Sequence, residues 1–105
     1  MLKINNVELE LDLYDADVMD KYTEALNKLN EKEKNKKTKG LSNGDIIRQE
    51  CRFVFDFFND LFGEGTDKKI FGNKTNYKQC VEALEQGIKY SANISKDLAK
   101  LLKVK

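Results

Sequence analysis

Residues 46–62 read IIRQECRFVFDFFNDLF and carry five of the chain's six phenylalanines. Wound at about 100° per residue, Ile46, Ile47, Cys51, Phe53, Val54, Phe55, Phe57, Phe58, Leu61 and Phe62 fall within an arc of roughly 200°. Arg48, Gln49, Arg52, Asp56, Asn59 and Asp60 fill the rest. An ordinary amphipathic helix needs an apolar stripe of only about 100°. A central helix of this composition therefore has to be covered on two sides, by its own chain, by a second copy or by a client. One polar residue interrupts the arc, Glu50, between Phe57 and Leu61 on the wheel. A buried carboxylate is costly unless paired, so Glu50 is expected to reach a tyrosine hydroxyl or a lysine and fix the packing, and it is also the one place for a functional carboxylate.

The flanks of this helix are marked. Ser42 stands at the N-cap with Asp45 three residues on, a shortened capping box, and Gly63 supplies the expected left-handed residue after the last turn. The helix is placed at 43–62. Downstream, GEGTDKKIFGNKTN (63–76) reads as a turn-rich loop pinned to the core by Ile70 and Phe71. It is no phosphate loop, because such a loop follows a strand rather than a helix.

Upstream, Leu2, Ile4, Val7, Leu9, Leu11 and Leu13 alternate with polar residues, the period of a half-buried strand, and the alternation skips at Asn5-Asn6. A two-residue turn there pairs Ile4 with Val7 and Leu2 with Leu9, and asparagine tolerates the positive φ it needs. A β-hairpin over 2–13 follows. Asp15 or Asp17 caps a helix over 16–36 whose apolar face is Val18, Tyr22, Ala25, Leu26 and Leu29. Its continuation, NEKEKNKKTK (30–39), has no apolar residue and no core to hold it. Asn76 caps a last helix over 77–102, with Tyr77, Cys80, Val81, Leu84 and Ile88 as its stripe, kinked or closely packed at Gly87. The fold class is α+β: one domain, 1–105, with a hairpin followed by three helices.

Composition bounds the function. Nineteen basic and eighteen acidic residues give a formal charge of +1, without the basic excess of a nucleic-acid or phospholipid binder. The lysine-rich 32–39 run leaves a small regulatory or DNA-associated protein as the alternative reading. The opening MLKINNVELEL is not a secretion signal, and no apolar run nears the ~20 residues of a membrane span, so a cytoplasmic location is expected. Histidine is absent, which removes the commonest general base and metal ligand. Cys51 and Cys80 are too few for a zinc site, and Asp12, Asp15, Asp17 and Asp20 lack the glycine and terminal glutamate of a calcium loop. No cofactor, no metal and no enzymatic activity are expected.

LELDLYDAD near the front, GLSNGDIIRQECRFVFDFFNDLFGEGTDKKIFGNKTNY in the middle and a closing helix together resemble a family of small proteins from phages and prophages of Gram-positive bacteria. The most specific part is FFNDLFGEGTDKKIFG, residues 57–72, with Phe57, Phe58, Leu61, Phe62, Gly63, Gly65, Phe71 and Gly72 as signature positions. That family looks like the tail assembly chaperones of long-tailed phages, small helical proteins that coat the hydrophobic tape-measure protein and recruit tail-tube subunits. The N-terminal hairpin departs from the best-studied of these. The resemblance implies a homo-oligomer in the host cytoplasm whose partner is a tape-measure or tail-tube protein. Phe53, Phe55, Phe57, Phe58, Phe62, Phe71 and Glu50 are the candidate partner-binding residues.

Overall fold

Leu2–Ile4 (β1) and Val7–Leu9 (β2) form a two-stranded antiparallel hairpin, and Ala16–Lys34 (α1), Asn43–Phe62 (α2), Thr66–Phe71 (α3) and Tyr77–Leu102 (α4) follow, in a computed structural model that describes residues 2–103. The mostly helical α+β architecture is as read from the sequence, but with four helices among the described residues instead of three.

In the hairpin, Leu2 pairs with Leu9 and Ile4 with Val7. Asn5 and Asn6 take φ of 49° and 66°, the left-handed pair that matches the right-handed twist of the strands. The ladder stops at Leu9, short of the expected Leu13, because residues 10–13 have no strand opposite them. Alternation nevertheless persists: Leu11 and Leu13 are buried, and the Leu11 carbonyl accepts from the Tyr90 hydroxyl of α4 at 3.2 Å in place of a ladder bond.

Asp15 is the cap of α1, its Oδ1 accepting from the backbone of Asp17 at 2.9 Å and Val18 at 3.3 Å. The helix buries Tyr22, Ala25 and Leu29 and ends at Lys34, two residues before the expected 36. Past Leu29 the helix is held after all, by polar contacts. Lys32 pairs with Asp56 at 2.9 Å, Lys36 with Glu50 at 2.7 Å, and the Gln49 amide donates to the Lys37 carbonyl at 3.1 Å. The expectation of an untethered tail over 30–39 is corrected accordingly.

The bounds of α2 are those read from its caps. Ser42 Oγ accepts from the Asp45 amide at 3.1 Å, and Gly63 closes the helix at φ 110°, ψ 157°. That is the extended, positive-φ region of glycine, not the left-handed helical one expected, and it sends the chain directly into α3. This short helix replaces the expected loop. Its first turn is capped from outside, because Asn59 Oδ1 of α2 accepts from the Asp67 amide at 3.0 Å, and Thr66 Oγ1 donates to the Gly63 carbonyl at 2.7 Å. Ile70 and Phe71 are buried, as their isolation in a polar stretch implied.

Asn76 caps α4 through the Gln79 amide, 3.1 Å away. The helix runs unbroken over the expected span, but of the expected stripe only Cys80 is fully buried; Ala83 and Gly87 share its face, while Tyr77, Val81, Leu84 and Ile88 lie about 90° round. Small residues let α4 lie against α2 with the Cys51 and Cys80 thiols in contact; both are free and buried. A Cβ built on Gly87 meets nothing within 4 Å, so the expected close approach is not there.

Candidate functional site

The aromatic arc of α2 is covered largely from within. Phe58 is 1% exposed, Phe57 and Phe71 are buried with it, and hairpin, α1, α3 and α4 residues join them in one cluster. Phe57 meets Phe58 edge-on at 5.3 Å and Tyr22 of α1 at 6.2 Å, while Phe71 lies 6.0 Å from Phe58 and 5.2 Å from Phe55. Three of the expected partner-binding residues, Phe57, Phe58 and Phe71, are therefore core: a ring enclosed by its own chain has no surface to offer. Phe53, Phe55 and Phe62 are half-buried. Phe62 stacks on Phe58 at 6.3 Å, and Phe53 opens into a cleft of roughly 320 Å³ bounded by Lys32, Asn35, Lys36, Lys37 and Gln49.

A second cleft, of roughly 500 Å³, lies where the end of α1 meets the first turns of α2 and α4, lined by Lys36, Asn43, Ile46, Ile47, Glu50 and Tyr77. Lys36 lines both clefts and Glu50 the second. Glu50 is buried, 8% exposed, and its carboxylate accepts from Lys36 Nζ at 2.7 Å; the same ammonium donates to Glu33 at 3.1 Å. Burial alone would push Glu50 up, but the hydrogen bonds from Glu33 and Lys36 outweigh it and hold Glu50 below the usual carboxylate range. Glu33 moves the other way: its hydrogen bond to Glu50 and its own burial raise it. The two carboxylates drive the Lys36 ammonium well above its ordinary value.

Glu50 thus found the lysine that its position on the wheel demanded, and the pair is structural in character. A carboxylate held ionised by a lysine is a weak general base, because basicity falls with pKa. The two glutamates and one lysine form a clamp joining α1 to α2, with apolar walls on both sides.

Sequence reasoning missed the more open apolar surface. Ile47 and Ile88 are each 42% exposed and Tyr77 45%, with Leu101 and Leu102 more open still. Tyr77 and Ile88 belong to the stripe expected of the last helix, of which only Cys80 is fully buried. The signal that could have separated them is the second, parallel line of small residues, Cys80, Ala83 and Gly87, which is what a closely packed helix buries.

Among the described residues no helix is long and apolar enough to cross a membrane, and no group of three Cys, Asp or Glu side chains is placed to hold a metal ion. Residues 5–103 match the model described as "Family of unknown function (DUF6673)". No curated protein and no solved structure matches the chain.

Proposed function

The chain belongs to the DUF6673 family, a family of unknown function, and from the sequence resemblance described above, together with the open apolar surface, we propose that it is a non-enzymatic assembly factor of phages and prophages. In this reading it is similar in kind to a tail assembly chaperone: it associates with itself in the host cytoplasm and keeps a hydrophobic helical client, the tape-measure protein, in solution. The observation that carries the proposal is the apolar surface left open after the core is filled, Ile47 and the half-buried Phe53, each bordering one of the two clefts that share Lys36. Helix-in-groove recognition uses such a surface, apolar anchors set between polar rims. Of the five lysines of 32–39, Lys32 and Lys36 are engaged by Asp56, Glu33 and Glu50, which weakens the DNA-associated alternative.

Co-expression tests it. With the tape-measure protein of the same phage or prophage, the wild-type chain should raise the soluble fraction of that client and co-purify with it, and Phe53→Asp should lose most of the effect while keeping its helical circular dichroism. A client that stays insoluble beside a well-folded wild-type chain would end the proposal.

A further inference from the structure

We propose that α4 is the seam of a two-fold symmetric homodimer, in which Tyr77, Val81, Leu84 and Ile88 of two copies pack antiparallel. This rests on the self-association in the function proposed above and assigns it a surface and a register.

Tyr77, Val81, Leu84, Ile88, Ser91, Ser95, Leu98 and Leu102 follow one another at steps of four and three residues without a break. That is the heptad spacing of a helix that meets another helix along a seam, with β-branched Val81 and Ile88 alternating with Leu84. It is not the line that α4 turns toward its own core, which is Cys80, Ala83 and Gly87. The seam is open at Tyr77 and Ile88, which are among the exposed large hydrophobics; Val81 is partly buried, Leu84 leans on the edge of the core, and Ser91 turns in to share a hydrogen bond with the Tyr22 hydroxyl. No charged residue falls within the sector of roughly 100° centred on it. Its bulk is interrupted by serines at positions 91 and 95, with Leu98 and Leu102 beyond them. The overlap that buries the four large residues of the first half and leaves the serines out is the one centred between Glu82 and Ala83.

In that antiparallel overlap Tyr77 lies against the partner's Ile88 and Val81 against the partner's Leu84. The residues bordering one side of the seam are Lys78 and Glu85, and the same register sets Lys78 opposite the partner's Glu85, once on each side of the two-fold axis. Charge complementarity therefore chooses the same alignment as the apolar layers. Within its own helix Lys78 is two turns, about 10 Å, from Glu85, too far to pair. Both are exposed, and neither enters an ion pair within the chain among the described residues. A parallel arrangement would set Glu85 beside the partner's Cys80, which carries no charge to answer it. The antiparallel arrangement is isologous and closes at two copies.

Sedimentation or light scattering of the full chain should give twice the 12.1 kDa chain mass, with α4 helicity monitored by circular dichroism throughout. Lys78→Glu sets like charges together twice and should raise the dimer dissociation constant by about tenfold or more. Glu85→Lys should do the same, and the double exchange should return it to near the wild-type value. Ile88→Glu, at an exposed site, should give a folded monomer. A wild-type monomer at high micromolar concentration overturns the proposal, as does a dimer indifferent to Lys78→Glu and Ile88→Glu, or a double exchange that fails to restore association. These failures leave the client assay standing by itself: a monomeric chain that still solubilises the tape-measure protein refutes the seam and not the chaperone reading.

Discussion

Replacing Phe58 by alanine probes the whole arrangement of the core. The ring is 1% exposed and has three aromatic neighbours, Phe57 edge-on at 5.3 Å, Phe71 at 6.0 Å and Phe62 stacked at 6.3 Å. A buried Phe→Ala change costs about 3–5 kcal/mol, transfer and cavity terms together. Three broken aromatic pairs, each contributing about 0.5 kcal/mol or more beyond area, place Phe58→Ala toward the upper end, about 4–5 kcal/mol. A chain of this size has about 5–15 kcal/mol in all, so the variant should be at the edge of folding. With about 2 cal/mol/K of unfolding entropy per residue, each kcal/mol is about 4–5 °C here, and Tm should fall by roughly 20 °C. Urea titration followed by far-ultraviolet circular dichroism reads the free energy, and calorimetry reads Tm. Phe53→Ala, on the same helix but opening into a cleft, should cost only about 1 kcal/mol. If Phe58→Ala cost less than about 1 kcal/mol, or no more than Phe53→Ala, the claim that this chain encloses its own aromatic arc would be refuted.

Gly87→Ala should stabilise by about 1 kcal/mol, the helix-propensity difference, because a Cβ there meets nothing within 4 Å; a lower urea midpoint would show that α4 does need the glycine. Glu50→Gln should show a pH-dependent loss of stability. The wild-type carboxylate is held below its ordinary value by Glu33 and Lys36 against burial, so its contribution is present above the usual carboxylate range and fades as pH falls through the lowered value. The gap between variant and wild type should be widest at neutral pH and close in acid, and a gap that widened in acid would contradict the assignment. Glu33, raised by Glu50, works in the opposite sense, so Glu33→Gln should steepen the acid loss that remains. Burial pushes both thiols up, Cys80 to about 12, so alkylation by iodoacetamide at pH 8 should proceed only as fast as the chain unfolds; labelling at the rate of a free thiol would place the cysteines at the surface.

The local signals in the sequence were the readable ones. Asn5-Asn6, Ser42, Asn76 and the glycine after Phe62 each act through their own backbone, so the turn and the bounds of α2 and α4 could be placed without knowing the fold. The features that were not legible depend on what lies opposite. β2 ends at Leu9 because nothing faces residues 10–13. α3 forms in a turn-rich stretch because Asn59 of a neighbouring helix caps it, a contact across eight residues that no periodicity reveals. On α4 the apolar stripe took in Tyr77, Cys80, Val81, Leu84 and Ile88, yet of these only Cys80 is fully buried, with Ala83 beside it, because interhelical distance is set by side-chain size and not by hydrophobicity alone. For the candidate site, the wheel position of Glu50 called for a partner, a tyrosine hydroxyl or a lysine, but could not say which; it is Lys36. Phe57, Phe58 and Phe71 looked available only because the coverage from α1, α3 and the hairpin is tertiary.

The attachment of α1 to α2 changes character along its length. Through Leu29 the two helices share buried side chains, whereas from Lys32 onward they are joined by ion pairs and one amide-to-carbonyl bond. Added salt strengthens the first kind of adhesion or leaves it alone and screens the second. Ionic strength is therefore expected to bear on one end of the molecule: concentrated sodium chloride should weaken the more exposed Lys32–Asp56 pair before the Lys36–Glu50 pair and leave the hairpin end unmoved.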